Sequence, residues 1–221
     1  MIRIIAALGL AFALPLGAAA DQPTQAYDLL FRNGTLDAID RGSALVYDRT
    51  VSNALNAAAD DRDTGRVVLT FDQPEGGPEA VEMTFRQDER FRGLGSFPAS
   101  VGNPMIMYFY ESTIRDMSES AGGSPFYIRN RIKDSLTVPQ TIETATAQYD
   151  GETIDVQRVT LKPFADDPNG AAMKGFADLE MTVTMSEAVP GWYVSLDAQV
   201  PGKSGPVYAS TLQLVGLEDA E

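Results

Sequence analysis

The stretch Ile142-Glu143-Thr144-Ala145-Thr146-Ala147-Gln148-Tyr149-Asp150-Gly151-Glu152-Thr153-Ile154-Asp155-Val156 decides the fold. Asp-Gly between two runs rich in Thr, Ile, Val and Tyr is a hairpin signal, because both turn residues take positive φ at little cost. A two-residue connection makes the paired strands antiparallel. Beyond the turn the apolar phase changes: Ile154 and Val156 share one parity, Val159 and Leu161 the other. That change predicts a bulge near Gln157-Arg158.

Working outward, the same two-residue alternation recurs on both sides. Leu179-Met181-Val183-Met185 runs opposite Asp178, Glu180, Thr182 and Thr184, and Trp192-Val194-Leu196-Ala198 and Val207 to Val215 follow short Pro/Gly turns. Upstream, Tyr27-Leu29-Phe31, Leu45-Tyr47, Val67-Leu69-Phe71 and Val81-Met83-Phe85 alternate likewise, with Arg49 at the next inward step after Tyr47. One face of a strand repeats every second residue, so these rows predict about nine strands in an antiparallel meander. The segment from Ser52 to Gly65 reads as a linker with a solvated turn, Asp60-Asp61-Arg62-Asp63-Thr64-Gly65, and Arg86 to Gly102 as a long loop.

Between the two sets of strands the period changes to 3.6. Asn103-Pro104 is a cap followed by a helix-starting proline, and Gly122-Gly123 stops the helix. Ile106, Tyr110, Ile114 and Met117 form its apolar stripe, expected against the sheet, while Glu111, Arg115 and Glu119 form an ionic stripe expected in solvent. Ser124-Pro125 repeats the start, with Ile128, Ile132 and Leu136 as the second apolar face before Pro139. Two features exceed a plain amphipathic pattern. Residues 105–110, Met-Ile-Met-Tyr-Phe-Tyr, are apolar all round, and Phe126 lies on the polar side beside Arg129 and Lys133. The expected fold class is α+β: a curved, half-barrel-like antiparallel sheet of about nine strands with an inserted αα-hairpin over 103–138.

Composition bounds the chemistry. The 221 residues hold 31 acidic and 17 basic side chains, no histidine and no cysteine, for a net charge of −14. Without Cys or His there is no thiol nucleophile, no Ser-His-Asp triad, no ordinary zinc or haem site and no disulfide. Nucleophile elbow, Walker A loop and dinucleotide fingerprint are all missing, so no catalytic residue, metal site or cofactor is expected. The acidic surface repels nucleic acid, which is excluded as a general partner.

Arg3 followed by the apolar run Ile4 to Leu16 and by Ala18-Ala19-Ala20 reads as a signal peptide over 1–20. Residues 21–221 then form one domain, expected to be soluble and periplasmic, with no later stretch long and apolar enough to span a bilayer. Loss of Arg3 leaves 16 basic against 31 acidic residues, so the mature net charge is −15. Against that background Arg115, Arg129, Arg131 and Lys133 make a local basic cluster, able to meet an anion or to pair with Glu111, Glu119 and Asp134.

Signal peptide, curved sheet and intervening helical hairpin together resemble the lipoprotein-carrier (LolA/LolB-like) half-barrel over roughly Tyr27 to Gly216. The run Gly102-Asn103-Pro104 to Tyr108, with Gly122-Gly123-Ser124-Pro125-Phe126-Tyr127-Ile128-Arg129-Asn130-Arg131, is also similar to secreted proteins of alphaproteobacteria. The resemblance implies an apolar cavity for acyl chains under the helices. Met105, Met107, Tyr108, Phe109 and Phe126 would line it with Met181 of the Leu179-Met181-Val183 row, and Arg129 and Lys133 would meet an anionic head group. The expected function is a non-catalytic periplasmic binding or carrier-like protein for an apolar or lipidic ligand. An envelope interaction module and a carboxylate-dependent hydrolase are the alternatives. N-terminal sequencing of the exported protein is expected to begin at Asp21; recovery of the full-length chain in membranes contradicts the signal-peptide reading.

Overall fold

The computed structural model describes residues 22–73 and 76–220; the expected signal peptide lies outside them. The elements are α1 (Gln22–Leu30), β1 (Ser43–Asn53), α2 (Ala58–Asp63), β2 (Gly65–Asp72), β3 (Ala80–Gln87), β4 (Arg90–Pro98), α3 (Met105–Ala121), α4 (Pro125–Leu136), β5 (Ile142–Tyr149), β6 (Glu152–Leu161), β7 (Glu180–Met185), β8 (Tyr193–Val200) and β9 (Tyr208–Asp219). Among the described residues no helix is long and apolar enough to cross a membrane.

All nine strands form one antiparallel sheet in the order β4-β3-β2-β1-β9-β8-β7-β6-β5. Two meanders are joined where β1 pairs with β9. The edges are therefore β4 and β5, the two strands that flank the helical hairpin in sequence, and the sheet does not close. The chain crosses from one edge to the other through α3 and α4. Nine strands at ~4.8 Å spacing would lie far wider, if flat, than a helix ~10–12 Å across. Yet the inward rows of strands from β1 to β9 share one core cluster with Ile106, Phe109 and Ile114 of α3. The sheet must wrap around the helix to achieve this. Register shifts between Val46 and Tyr47, Met83 and Thr84, and Thr184 and Met185 supply local bends.

α3 is buried on two adjoining sides. The stripe Ile106, Tyr110, Ile114, Met117 is buried as its spacing predicts, and so is a second one: Met105, Phe109, Thr113, Asp116 and Ser120. That double burial accounts for Met105, Ile106, Phe109 and Tyr110 of the apolar first turns, which fill the sheet's interior, whereas Met107 stays half-exposed. It also corrects the ionic stripe. Glu111 and Glu119 are exposed, but Arg115 folds inward onto Asp116. The cap is as read: the Asn103 carboxamide oxygen accepts from the Met105 N–H at 3.0 Å.

The Asp150-Gly151 turn has φ of 50° and 78°, as a type I′ hairpin requires, and Tyr149 pairs with Glu152 across it. No bulge occurs at Gln157-Arg158; both ladders of β6 run through it in register. The apolar phase changes there because β6 leaves β7 at Gln157. Val156, Val159 and Leu161 are all buried in the core cluster, and Val156, with Ile154 packed against that cluster, lies beyond the end of β7 and borders Trp192.

Three assignments change. Residues 27–31, expected as a strand, belong to α1 and its exit: Ala26 and Leu30 are the buried pair at helical spacing, and Tyr27 stacks on Phe31 at 4.7 Å. Trp192 Nε1 and the Tyr193 hydroxyl donate to the carbonyls of Leu29 and Leu30, fixing the end of α1 to the start of β8. Residues 90–98, expected within a loop, form edge strand β4, whose mostly exposed side chains and two glycines give no alternation to read. Residues 58–63, expected as a linker and solvated turn, form α2 with Asp63 buried.

Gly191 illustrates how tightly the open end is packed. Its φ is +75°, and a Cβ there would collide with Leu45 Cδ2 and sit 3.0 Å from Asn103 Nδ2. Gly122, φ +81°, has nothing within 4 Å of the same position. Gly122→Ala is expected to cost about 1–3 kcal/mol of backbone strain, because φ 81° with ψ −166° is a region essentially reserved for glycine, and Gly191→Ala more than that, because it adds a clash in the core. Equal shifts of the urea midpoint would contradict this packing.

Candidate functional site

The interior of the wrapped sheet holds a charge network. Arg49 points inward from β1 with its side chain fully buried, and its Nη2 donates to Asp116 Oδ2 of α3 at 3.0 Å. Its Nη1 donates to the Tyr108 hydroxyl at 2.9 Å and lies 3.9 Å from Asp63 Oδ1. The Tyr208 hydroxyl of β9 donates to Asp116 Oδ2, and Arg115 donates twice to Asp116 Oδ1. Arg62 and Arg115 both meet Asp63 Oδ2, at 2.7 and 3.0 Å. Burial alone would raise the Asp63 carboxyl, but the Arg62 hydrogen bond and the charges of Arg115 and Arg49 hold it below the ordinary carboxylate value. Burial and the neighbouring Asp116 push the Tyr208 hydroxyl far upward, so it stays a neutral donor. The network ties β1, α2, α3 and β9 together.

It also determines where the residues expected at a site reside. Met105, Phe109 and Met181 belong to the filled core rather than to a cavity wall. Tyr108 is half-buried and bonded to Arg49. Phe126 is 75 % exposed, with the Arg129 guanidinium 5.8 Å from its ring centroid. Arg129 is committed to Glu111 by a two-pronged pair at 2.9 and 2.6 Å, and Lys133 is exposed. These residues do not converge on one space, because α3 occupies the interior they were expected to line. Met107 borders a concavity at the start of α3.

A depression of about 600 Å³ between α4 and the starts of β5 and the 162–165 loop is lined by mixed polar and apolar side chains, and its cations are matched. Arg131 Nε meets Asp167 Oδ2 at 2.8 Å, and Lys162 meets Glu180. A second groove, about 420 Å³, lies where α1, the end of β4 and the start of α3 meet. Its walls include Tyr27, Phe31, Phe97, Val101, Ile106 and Met107. Tyr27, Val101 and Met107 are 48 %, 63 % and 47 % exposed, so three large apolar side chains stand half-open around one hollow. Nearby, the buried Tyr110 hydroxyl has no hydrogen-bond partner, and burial raises its pKa. Sequence reading found Met107 but not Tyr27 or Val101, which it assigned to a strand and a loop.

Among the described residues no group of three or more carboxylates is placed to hold a metal ion. No family model matches the chain, and no curated protein matches it. Among solved structures it is weakly similar to a beta-barrel-like protein of Domain of Unknown Function DUF1849 from Brucella abortus. The two are 11% identical over 81% of this chain and 98% of that one, with a TM-score of 0.19.

Asp63→Asn is expected to cost about 1.5–3 kcal/mol at neutral pH, since it removes the buried carboxylate that Arg62 and Arg115 share and leaves the buried Arg49 with Asp116. The folded-state pKa of Asp63 is depressed, so its contribution is complete above the ordinary carboxylate range and fades as pH falls through the folded value. Stability of the wild type should therefore fall more steeply on acidification than that of Asp63→Asn. Parallel curves of urea midpoint against pH would contradict the assignment.

Proposed function

We propose that this chain is a non-catalytic binding protein of the bacterial envelope, and that its ligand is an apolar chain held in the groove between α1, β4 and α3. The carrying observation is the half-open trio Tyr27, Val101 and Met107 around a concavity of about 420 Å³. That volume falls in the range of ligand pockets, ~300–1,000 Å³. Methionine adapts to irregular apolar shapes, and each methylene removed from water contributes about 0.8 kcal/mol. With the interior filled by α3, binding belongs at this mouth rather than beneath the helices. Export through the signal peptide read at 1–20 supplies the compartment.

The test is titration of the mature chain with a fluorescent fatty acid. Saturable binding is expected, weakened about tenfold or more by Met107→Asp, which places a charge in the groove. Phe126→Asp, outside the groove, should leave it unchanged. Absence of saturable binding by the wild type, or equal loss in both variants, overturns the proposal.

A further inference from the structure

One buried polar group on α3 has no place in the charge network. Four tyrosines among the described residues are buried, and three of them have partners. The Tyr47 hydroxyl donates to the carbonyl of Tyr193 at 3.1 Å, Tyr193 to that of Leu30 at 2.7 Å and Tyr208 to Asp116 at 2.9 Å. The fourth, Tyr110, is 5 % exposed, and among the described residues its hydroxyl meets no hydrogen-bond partner. Folded proteins rarely leave a buried hydroxyl so, because it gives up its bonds to water and receives none in return. Burial, with Tyr27 as the lesser cause, raises the Tyr110 pKa, so the phenol stays protonated and offers a donor.

This donor lies behind the wall of the groove between α1, β4 and α3. Tyr110 stands one turn after Ile106, and helical side chains lean towards the helix N-terminus, so its ring reaches back towards that groove residue. Its ring centroid is 6.1 Å from that of Phe31, another wall residue. Tyr27 acts electrostatically on Tyr110, and Tyr110 on Tyr193; both of these tyrosines line the same groove. The lining also bears on the kind of acceptor that fits. Its basic residue, Arg32, pairs with Glu187 at 2.8 Å and stacks over the Trp192 ring at 4.5 Å, while Asp28 adds a negative charge. A carboxylate would enter this hollow with its nearest cation engaged, whereas a neutral carbonyl needs no counter-charge.

We propose that the groove selects acyl esters: the chain lies in the hollow, and its carbonyl oxygen accepts a hydrogen bond from the Tyr110 hydroxyl as the Phe31 ring turns aside. This rests on the groove being the ligand site and names the chemistry of the ligand's head. The hydroxyl destabilises the free protein and is satisfied in the complex, so its removal acts in opposite directions on stability and on binding. A tyrosine kept for packing alone would not behave in that way.

The test uses three probes whose fluorescence rises in apolar surroundings: diphenylhexatriene, a hydrocarbon without an acceptor; methyl parinarate, a neutral ester; and parinaric acid. The mature wild type is expected to bind all three saturably, the ester more tightly than the acid at neutral pH. Tyr110→Phe is expected to weaken ester binding about five- to tenfold, the size of one neutral hydrogen bond, and to leave diphenylhexatriene unchanged. The same variant should keep or raise the urea midpoint, because it removes a buried polar atom with little change of shape. Equal loss for ester and hydrocarbon, no loss for either, or a lowered midpoint overturns the hydrogen bond and leaves the groove as the ligand site. Tighter binding of the acid than of the ester overturns the choice of ester. Absence of saturable binding of any probe, or titrations that Met107→Asp leaves unchanged, removes the groove reading and this one with it, a result distinct from the others.

Discussion

Arg49 carries a permanent charge into the centre of the protein, and the architecture is arranged around keeping it paired. A buried guanidinium without a counter-charge is costly, so the strand that places it inward obliges other elements to bring carboxylates to it. α3 brings Asp116 and α2 brings Asp63, while β9 adds the Tyr208 hydroxyl. The inward charges of Arg49 and Arg115 balance those of Asp63 and Asp116. Such a network fixes register: a one-turn slip of α3 would strand Arg49 and Asp116 together. Apolar packing alone, distributed over the two buried stripes of α3, would tolerate that slip better.

The same constraint relocates function. A curved sheet under a helical hairpin invites the expectation of a hollow for an acyl chain, and the greasy start of α3 strengthens it. Here the helix is the filling. Met105 and Phe109 serve the core, and the surface left for a ligand is the mouth where α1 and β4 meet the first turn of α3. Both elements at that mouth are modest in their own right: α1 is nine residues long and β4 is an edge strand with little burial.

What the sequence conveys follows from where each signal originates. Period-two rows such as Val81-Met83-Phe85 and Leu179-Met181-Val183 are legible because one face is covered and the other wet. The hairpin at Asp150-Gly151 is legible from turn chemistry alone. β4 is not, because an edge strand exposed on most of its length has no contrast between faces. Tyr27-Leu29-Phe31 misleads because a nine-residue helix with a narrow buried strip, Ala26 and Leu30, also shows apolar residues two apart. Arg49 is readable as inward, but its partner Asp116 is 67 residues away, and its meaning depends on tertiary pairing. The groove is legible in one residue, Met107, for the same reason: its other walls come from segments whose local pattern reads as something else.

The most direct test of this account is a double-mutant cycle between Arg49→Met and Asp116→Leu, read by equilibrium unfolding. If their pairing locks α3 into the sheet, each single variant takes from a buried charge its direct ion-pair partner and loses several kcal/mol. The double variant, with both charges removed, should then recover a large part, a coupling of about 2 kcal/mol or more. Simple additivity of the two losses would show that α3 is held by apolar packing alone and that the buried charge pair does not organise the fold.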